Sequence, residues 1–139
     1  MSNLLEKSLL VGFGIFTLII FASVIFPFIN QITEYNEDRR EALEEYLEFI
    51  DEIDDSIKYV INNPSQVYIK NIFYPDKIDI KIQESSIEYT YHLGETINSK
   101  TEEYYAHFFE CEYINNPPGI YELNVSYQSS LIKIIIELQ

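Results

Sequence analysis

The chain has no tryptophan, one methionine, one cysteine and four glycines in 139 residues. A single cysteine, Cys111, excludes an internal disulfide, so the fold must rest on apolar burial and hydrogen bonds, and the thiol itself reads as a small buried hydrophobe. The few glycines exclude phosphate-cradling loops: neither a P-loop nor a G-x-G-x-x-G turn between strand and helix is present, and Gly12-Phe13-Gly14 lies inside an apolar run. G-x-S-x-G and H-E-x-x-H are missing too. No catalytic residue, metal site or cofactor is therefore assigned. Positive charge is also scarce. Nine Lys and Arg stand against 23 Asp and Glu, a net charge of −14, which argues against nucleic acid and against a polybasic grip on anionic lipid. His107 and Cys111 have helical chelate spacing, but along a strand four residues separate them by roughly 13 Å, and His92 falls on the solvent face of another strand.

What the chain does have is one long uncharged segment. Residues 9–29 form a run of 21 without a charge. At about 1.5 Å of rise per residue such a helix is roughly 31 Å long, the hydrocarbon thickness of a bilayer. A cleaved signal peptide would need a positive leader, a shorter apolar stretch and a small-x-small site. Here Lys7 is offset by Glu6, and the run closes on Pro27, Phe28 and Ile29. The reading is a retained single-pass anchor in the lipid bilayer. Ser8, Gly12 and Gly14 are read as a small-residue face on which another helix can pack closely.

Three segments follow: residues 1–29 as flank and transmembrane helix, 30–63 as an acidic amphipathic continuation of that helix, and 64–139 as a β domain. No Gly or Pro interrupts 30–63, and Asn62-Asn63-Pro64 makes a stop. Leu43, Tyr46, Ile50, Ile53, Ile57 and Val60 recur at spacings of 3, 4, 3, 4 and 3. That seam packs on a partner helix or on a sheet. Leu47, Phe49 and Ile61 widen it, which favours a sheet. The opposite face is acidic, with eleven carboxylates between positions 34 and 55. It reads as a solvated face, and it has no EF-hand loop.

After Pro64 the apolar period changes from 3.6 to 2. Ile78, Ile80 and Ile82 alternate with polar residues, as do Ile87, Tyr89, Tyr91 and Leu93. Further strands are expected at 67–74, 104–113, 120–127 and 131–138, with Tyr121, Leu123, Val125 and Tyr127 facing in and Glu122, Asn124 and Ser126 out. The consecutive Ile134, Ile135 and Ile136 suggest burial on both faces. Residues 94–103 read as a polar loop. The predicted fold class is α+β: a long N-terminal helix, half transmembrane and half amphipathic, followed by a mainly antiparallel sandwich or curled sheet of about six strands. Asn124-Val125-Ser126 is an N-glycosylation triplet with its asparagine turned outward.

Lys7 before an apolar segment, the glycine-led GIFTLII at 14–20, a helix continuing beyond the membrane and a compact β domain together resemble archaeal type IV pilin-like proteins. Ile20 stands where bacterial pilins usually carry glutamate. Ser8 follows Lys7, where class III signal peptides prefer Gly or Ala, and a chain cut after Gly14 would keep only 15 apolar residues. In outline the sequence is also similar to the unprocessed archaellum stator components, which join one membrane helix to an immunoglobulin-like sandwich. The resemblance implies a non-enzymatic structural subunit of a surface assembly. Its partners would be copies of itself or related pilin-like subunits, with the β domain on the extracytoplasmic side or in a surface filament. The alternative is a monomeric anchored module that recognises an envelope component.

Overall fold

The computed structural model describes residues 2–139, so Met1 of the expected 1–29 segment lies outside the described residues. One helix, α1 (Ser2–Asn62), is followed by seven strands: β1 (Tyr68–Tyr74), β2 (Ile78–Ile82), β3 (Ser86–Leu93), β4 (Thr96–Glu103), β5 (Cys111–Tyr113), β6 (Gly119–Gln128) and β7 (Leu131–Leu138). The chain divides into two compact units, Met1–Arg40 and Glu41–Gln139, and the boundary falls within α1. The outer part of the helix thus belongs to the β unit.

α1 runs through Pro27, and no basic residue occupies its last turn. It ends without the left-handed residue that Asn62 or Asn63 would permit. Instead the Asn63 side-chain amide donates to the Tyr59 carbonyl at 2.9 Å, satisfying one of the acceptors that a helix C-terminus leaves open.

The strands form two antiparallel sheets, β1-β6-β7 and β4-β3-β2-β5. Register follows the pleat, because a slip of one residue would turn every apolar side chain to the wrong face. Leu123 pairs with Ile136 and Val125 with Ile134 in the first sheet; Ile78 pairs with Tyr91, Ile80 with Tyr89 and Ile82 with Ile87 in the second. All ten are buried in one core. Tyr113 of β5 ties the two sheets together, and beside it the 104–110 segment meets β7 through a parallel bridge, Phe108 to Ile132. The Tyr113 hydroxyl donates to the Ile134 carbonyl at 3.0 Å and accepts from the Ile136 amide at 3.2 Å. The outer part of α1 touches both sheets. Tyr46 meets Tyr91 of β3 and Phe49 meets Tyr74 of β1, each with ring centroids 5.0 Å apart.

Three segments differ from the sequence reading. Residues 94–103 are not a loop, because Gly94 and Glu95 form a two-residue hairpin turn leading into β4. Gly94 has φ 64° and Glu95 does not take positive φ, the pattern of a type II′ turn with glycine first. β4 is polar because it is an edge strand: Asn98, Lys100 and Glu102 lie on the inner side of the pleat, opposite Tyr91, Tyr89 and Ile87, but are only half-buried. Conversely, 104–113 is strand only at Cys111–Tyr113. Ala106 and Phe108 are buried while Tyr105, His107 and Phe109 are exposed, so the period of two is real. The backbone, however, wraps around the β2–β3 turn, with the Tyr104 amide donating to Ser85 O and the Phe108 amide to Glu84 O. The pairing of this segment is confined to the bridge at Phe108, where the Phe109 amide donates to Ile132 O and the Ile132 amide to His107 O. Ile135 is half-buried between buried Ile134 and Ile136, so β7 alternates rather than burying both faces.

Candidate functional site

Among the described residues the first unit consists of helix alone, and its large apolar side chains from Leu4 to Ile29 are left exposed. Leu9, Leu10, Phe13, Phe16, Leu18, Phe21, Phe26 and Phe28 are each at least 60 % exposed. In water this would be a large apolar liability, far beyond the patches that soluble surfaces carry. α1 is the one helix, among the described residues, long and apolar enough to cross a membrane, and it fits a membrane anchor. Thr17 and Ser23 are the polar exceptions, and their hydroxyls donate back to the Phe13 and Ile20 carbonyls at 2.8 Å. Such bonds let a hydroxyl sit in hydrocarbon without an unmet donor.

The three small residues do not share one face. Ser8 and Gly12 are four apart and adjacent on the helix surface, whereas Gly14, two beyond Gly12, is turned roughly 200° away. A Cβ added at Gly12 or Gly14 would meet nothing within 4 Å. Both positions therefore present open backbone to whatever surrounds the helix.

In the second unit the outer stripe is taken up internally. Tyr46, Ile50, Ile53, Ile57 and Val60 are buried in the core of the β unit, Phe49 with them, and Leu43 packs half-buried at its margin. Full burial of such side chains is worth roughly 1.5–3 kcal/mol each. Ser56, the buried polar residue on this face, donates to the Ile53 carbonyl at 2.6 Å.

The stripe is edged by two polar seams. Along one, the Glu52 carboxylate accepts from the Tyr68 hydroxyl and the Lys70 ammonium, each at 2.7 Å. Partial burial pushes the Glu52 carboxyl up, but the bonds from Lys70 and Tyr68 outweigh it and leave the group below its ordinary value. Burial and this carboxylate push the Tyr68 phenol up to about 12. Along the other, the Tyr104 hydroxyl donates to Asp54 at 2.9 Å, and Lys58 is ion-paired with the same carboxylate. Lys100 pairs with Glu102 at 2.9 Å. That bond raises the ammonium pKa against the opposing effect of burial, and Glu102, Asp51 and Asp54 add their fields. At the end where α1 enters the unit, the Tyr46 hydroxyl shares its proton between the carbonyls of Asp76 at 2.9 Å and His92 at 3.1 Å. Burial, then Asp76 and Glu45, raises its pKa.

None of Glu52, Asp54, Tyr68, Lys70 and Tyr104 stands out in the sequence reading as a contact residue. Their bonds span 16, 18 and 50 residues, so no local spacing encodes them. The only signal is compositional: 12 tyrosines and no tryptophan. Buried tyrosines need partners for their hydroxyls, and a rigid ring with a polar tip bridges helix to sheet. One tyrosine departs from that rule. The Tyr89 hydroxyl is buried and has no hydrogen-bond partner among the described residues.

The remaining candidates do not converge. His107 is exposed, its Nδ1 3.6 Å from Glu84, while His92 is half-buried at the end of β3. Cys111 is half-buried on β5, and burial raises its thiol pKa, the reverse of an activated nucleophile. Among the described residues no three His, Cys, Asp or Glu groups come close enough to hold a metal ion. Asn124 is half-buried on the outer face of β6. Comparison with protein-family models, with curated proteins and with solved structures finds no match for this chain.

Proposed function

We propose that this chain is a non-enzymatic structural subunit of a pilus-like or archaellum-associated surface assembly. Its N-terminal helix holds it in the membrane or in a filament core, and its β unit stands outside. One observation carries the reading. A single helix has two fates: the stripe from Tyr46 to Val60 is consumed by the chain's own sheets, while the large apolar side chains of residues 4–29 are left exposed. A helix used only as a linker would need no docking half, and a self-contained domain would need no apolar half. Docking ties the outer part of α1 to the chain's own sheets, so the stripe is not available to a partner. The apolar part is then the surface available to lipid and to neighbouring helices.

The test uses the two glycines, which lie on different sides of the helix. Leucine at either position adds apolar surface, so insertion is retained. Gly12→Leu adds bulk beside Ser8, where close helix approach is favoured, and Gly14→Leu adds the same bulk on the other side. Crosslinked complexes extracted from native membranes should shrink for one of the two variants and keep their size for the other, which identifies the packing face. Equal size distributions for wild type and both variants would remove the assembly reading and leave a monomeric tethered binding module in its place.

A further inference from the structure

A sequence motif and a partly open surface coincide on the β1-β6-β7 sheet. Asn124, Val125 and Ser126 lie on β6, the central strand. The pleat that buries Leu123 and Val125 turns Asn124 and Ser126 to the outer face. Register sets Asn124 between Ile69 on β1 and Ile135 on β7. Among the described residues this face stays partly open: Ile69 is 58 % exposed, Phe73 and Ile120, paired two rows along, are 50 % exposed each, and Asn124, Ser126 and Ile135 are half-buried. Asn71 on the neighbouring strand exchanges two side-chain hydrogen bonds with Gln139.

We infer that Asn124 is an N-glycosylation site whose glycan covers the outer face of this sheet. The inference rests on the extracytoplasmic placement of the β unit proposed above. The co-reactant is a lipid-linked glycan of the polyprenyl phosphate class, delivered by a membrane transferase. The bond from the anomeric carbon to the donor phosphate oxygen breaks with its electron pair left on the phosphate. Asn124 Nδ2 bonds to the anomeric carbon and gives up one proton, which the released polyprenyl phosphate takes up, and no oxidation or reduction occurs. Because β6 is paired on both sides, transfer takes place before the sheet closes, and folding then holds the glycan outward. Sugar rings lie over Ile69 and Ile135 and hide them from water. Any assembly must then leave this face towards solvent, so packing between subunits is confined to the apolar helix and the remaining surfaces of the β unit.

The experiment is peptide mass spectrometry on the full chain purified from its native host. The peptide containing Asn124 should carry a mass increment of whole sugar residues in the wild type. Ser126→Ala, which leaves the asparagine in place, should abolish the increment, and Ser126→Thr should restore it. An unmodified wild-type peptide overturns the inference, as does a glycan that persists in Ser126→Ala. Protease treatment of intact cells separates the two failures. A β unit that is cleaved while Asn124 is bare sinks the glycan alone, whereas a β unit that is protected with Asn124 bare sinks the external placement as well.

Discussion

The two parts of α1 obey the same local rules and meet opposite fates. Residues 9–29 are apolar on all sides, residues 43–60 only along one stripe, and both are continuous helix. Ile19 is 59 % exposed and Ile53 is 1 % exposed, although the two side chains are identical. Helix formation is a matter of backbone geometry and propensity. Whether an isoleucine is covered depends on what lies opposite, and only the outer part of the helix has a sheet opposite it.

The sharpest way to break that comparison is to place one charge in each half. Ile53→Asp puts a carboxylate without a partner into the apolar contact between helix and sheets, which costs several kcal/mol in a domain that has about 5–15 to lose. It should unfold the β unit while leaving membrane retention intact. Ile19→Asp should do the reverse, lowering insertion by roughly 2.5–3.5 kcal/mol while leaving the melting temperature of the β unit unchanged. Circular dichroism and membrane sedimentation on both variants read the two effects. An Ile53→Asp chain with wild-type thermal stability and lost self-association would make the stripe an intermolecular seam.

A smaller effect concerns the seam that locks the helix edge. The Glu52 carboxyl has a folded pKa below its unfolded value, so its contribution is present above about pH 4.3 and is lost as pH falls through the lower folded value. Glu52→Gln should therefore lower stability at neutral pH and narrow the gap to wild type as the solution is acidified. The difference between the two denaturation curves isolates this group from the relief of repulsion that acid brings to a chain of charge −14. A gap that stays constant from pH 7 to about pH 2 would mean that the carboxylate charge contributes nothing.

The smallest effect is local to the strands. Ser129 and Ser130 both take positive φ, 52° and 73°, in the two-residue turn between β6 and β7. That is the geometry of a type I′ turn, which Asn-Gly fills without strain. Replacing the pair by Asn-Gly should stabilise the β unit by about 1 kcal/mol, seen as a higher melting temperature, with no change in membrane behaviour. A fall in melting temperature would show that the serines hold the turn in some other way.

Legibility was highest where a period repeats along consecutive turns or residues. The stripe from Leu43 to Val60, the alternation of Ile78, Ile80 and Ile82, and the inward set Tyr121, Leu123 and Val125 could each be read because burial imposes its own spacing on a regular element. β4 shows no apolar alternation because an edge strand facing half-solvated ground needs none, and Gly94-Glu95 between two extended runs is the one hairpin signal there. Residues 104–110 depart in the opposite direction, since alternation reports burial and not the length of a ladder, which here is the single bridge from Phe108 to Ile132. Gly12 and Gly14 are neighbours in sequence but not on the helix surface, because at 3.6 residues per turn two residues turn a side chain through roughly 200°.

By itself the sequence determined the apolar span, the helix that continues out of it, the acidic balance, the α+β class and the inward residues of the regular strands. These follow from composition and from periods of 3.6 and 2, which a chain carries locally. Tertiary structure alone decided that α1 is divided between two units, that its stripe is closed by its own sheets, and that Tyr46, Tyr68, Tyr104 and Tyr113 tie together segments far apart in sequence. A hydrogen bond across 50 residues leaves no trace in local spacing, because it depends on how folded elements meet.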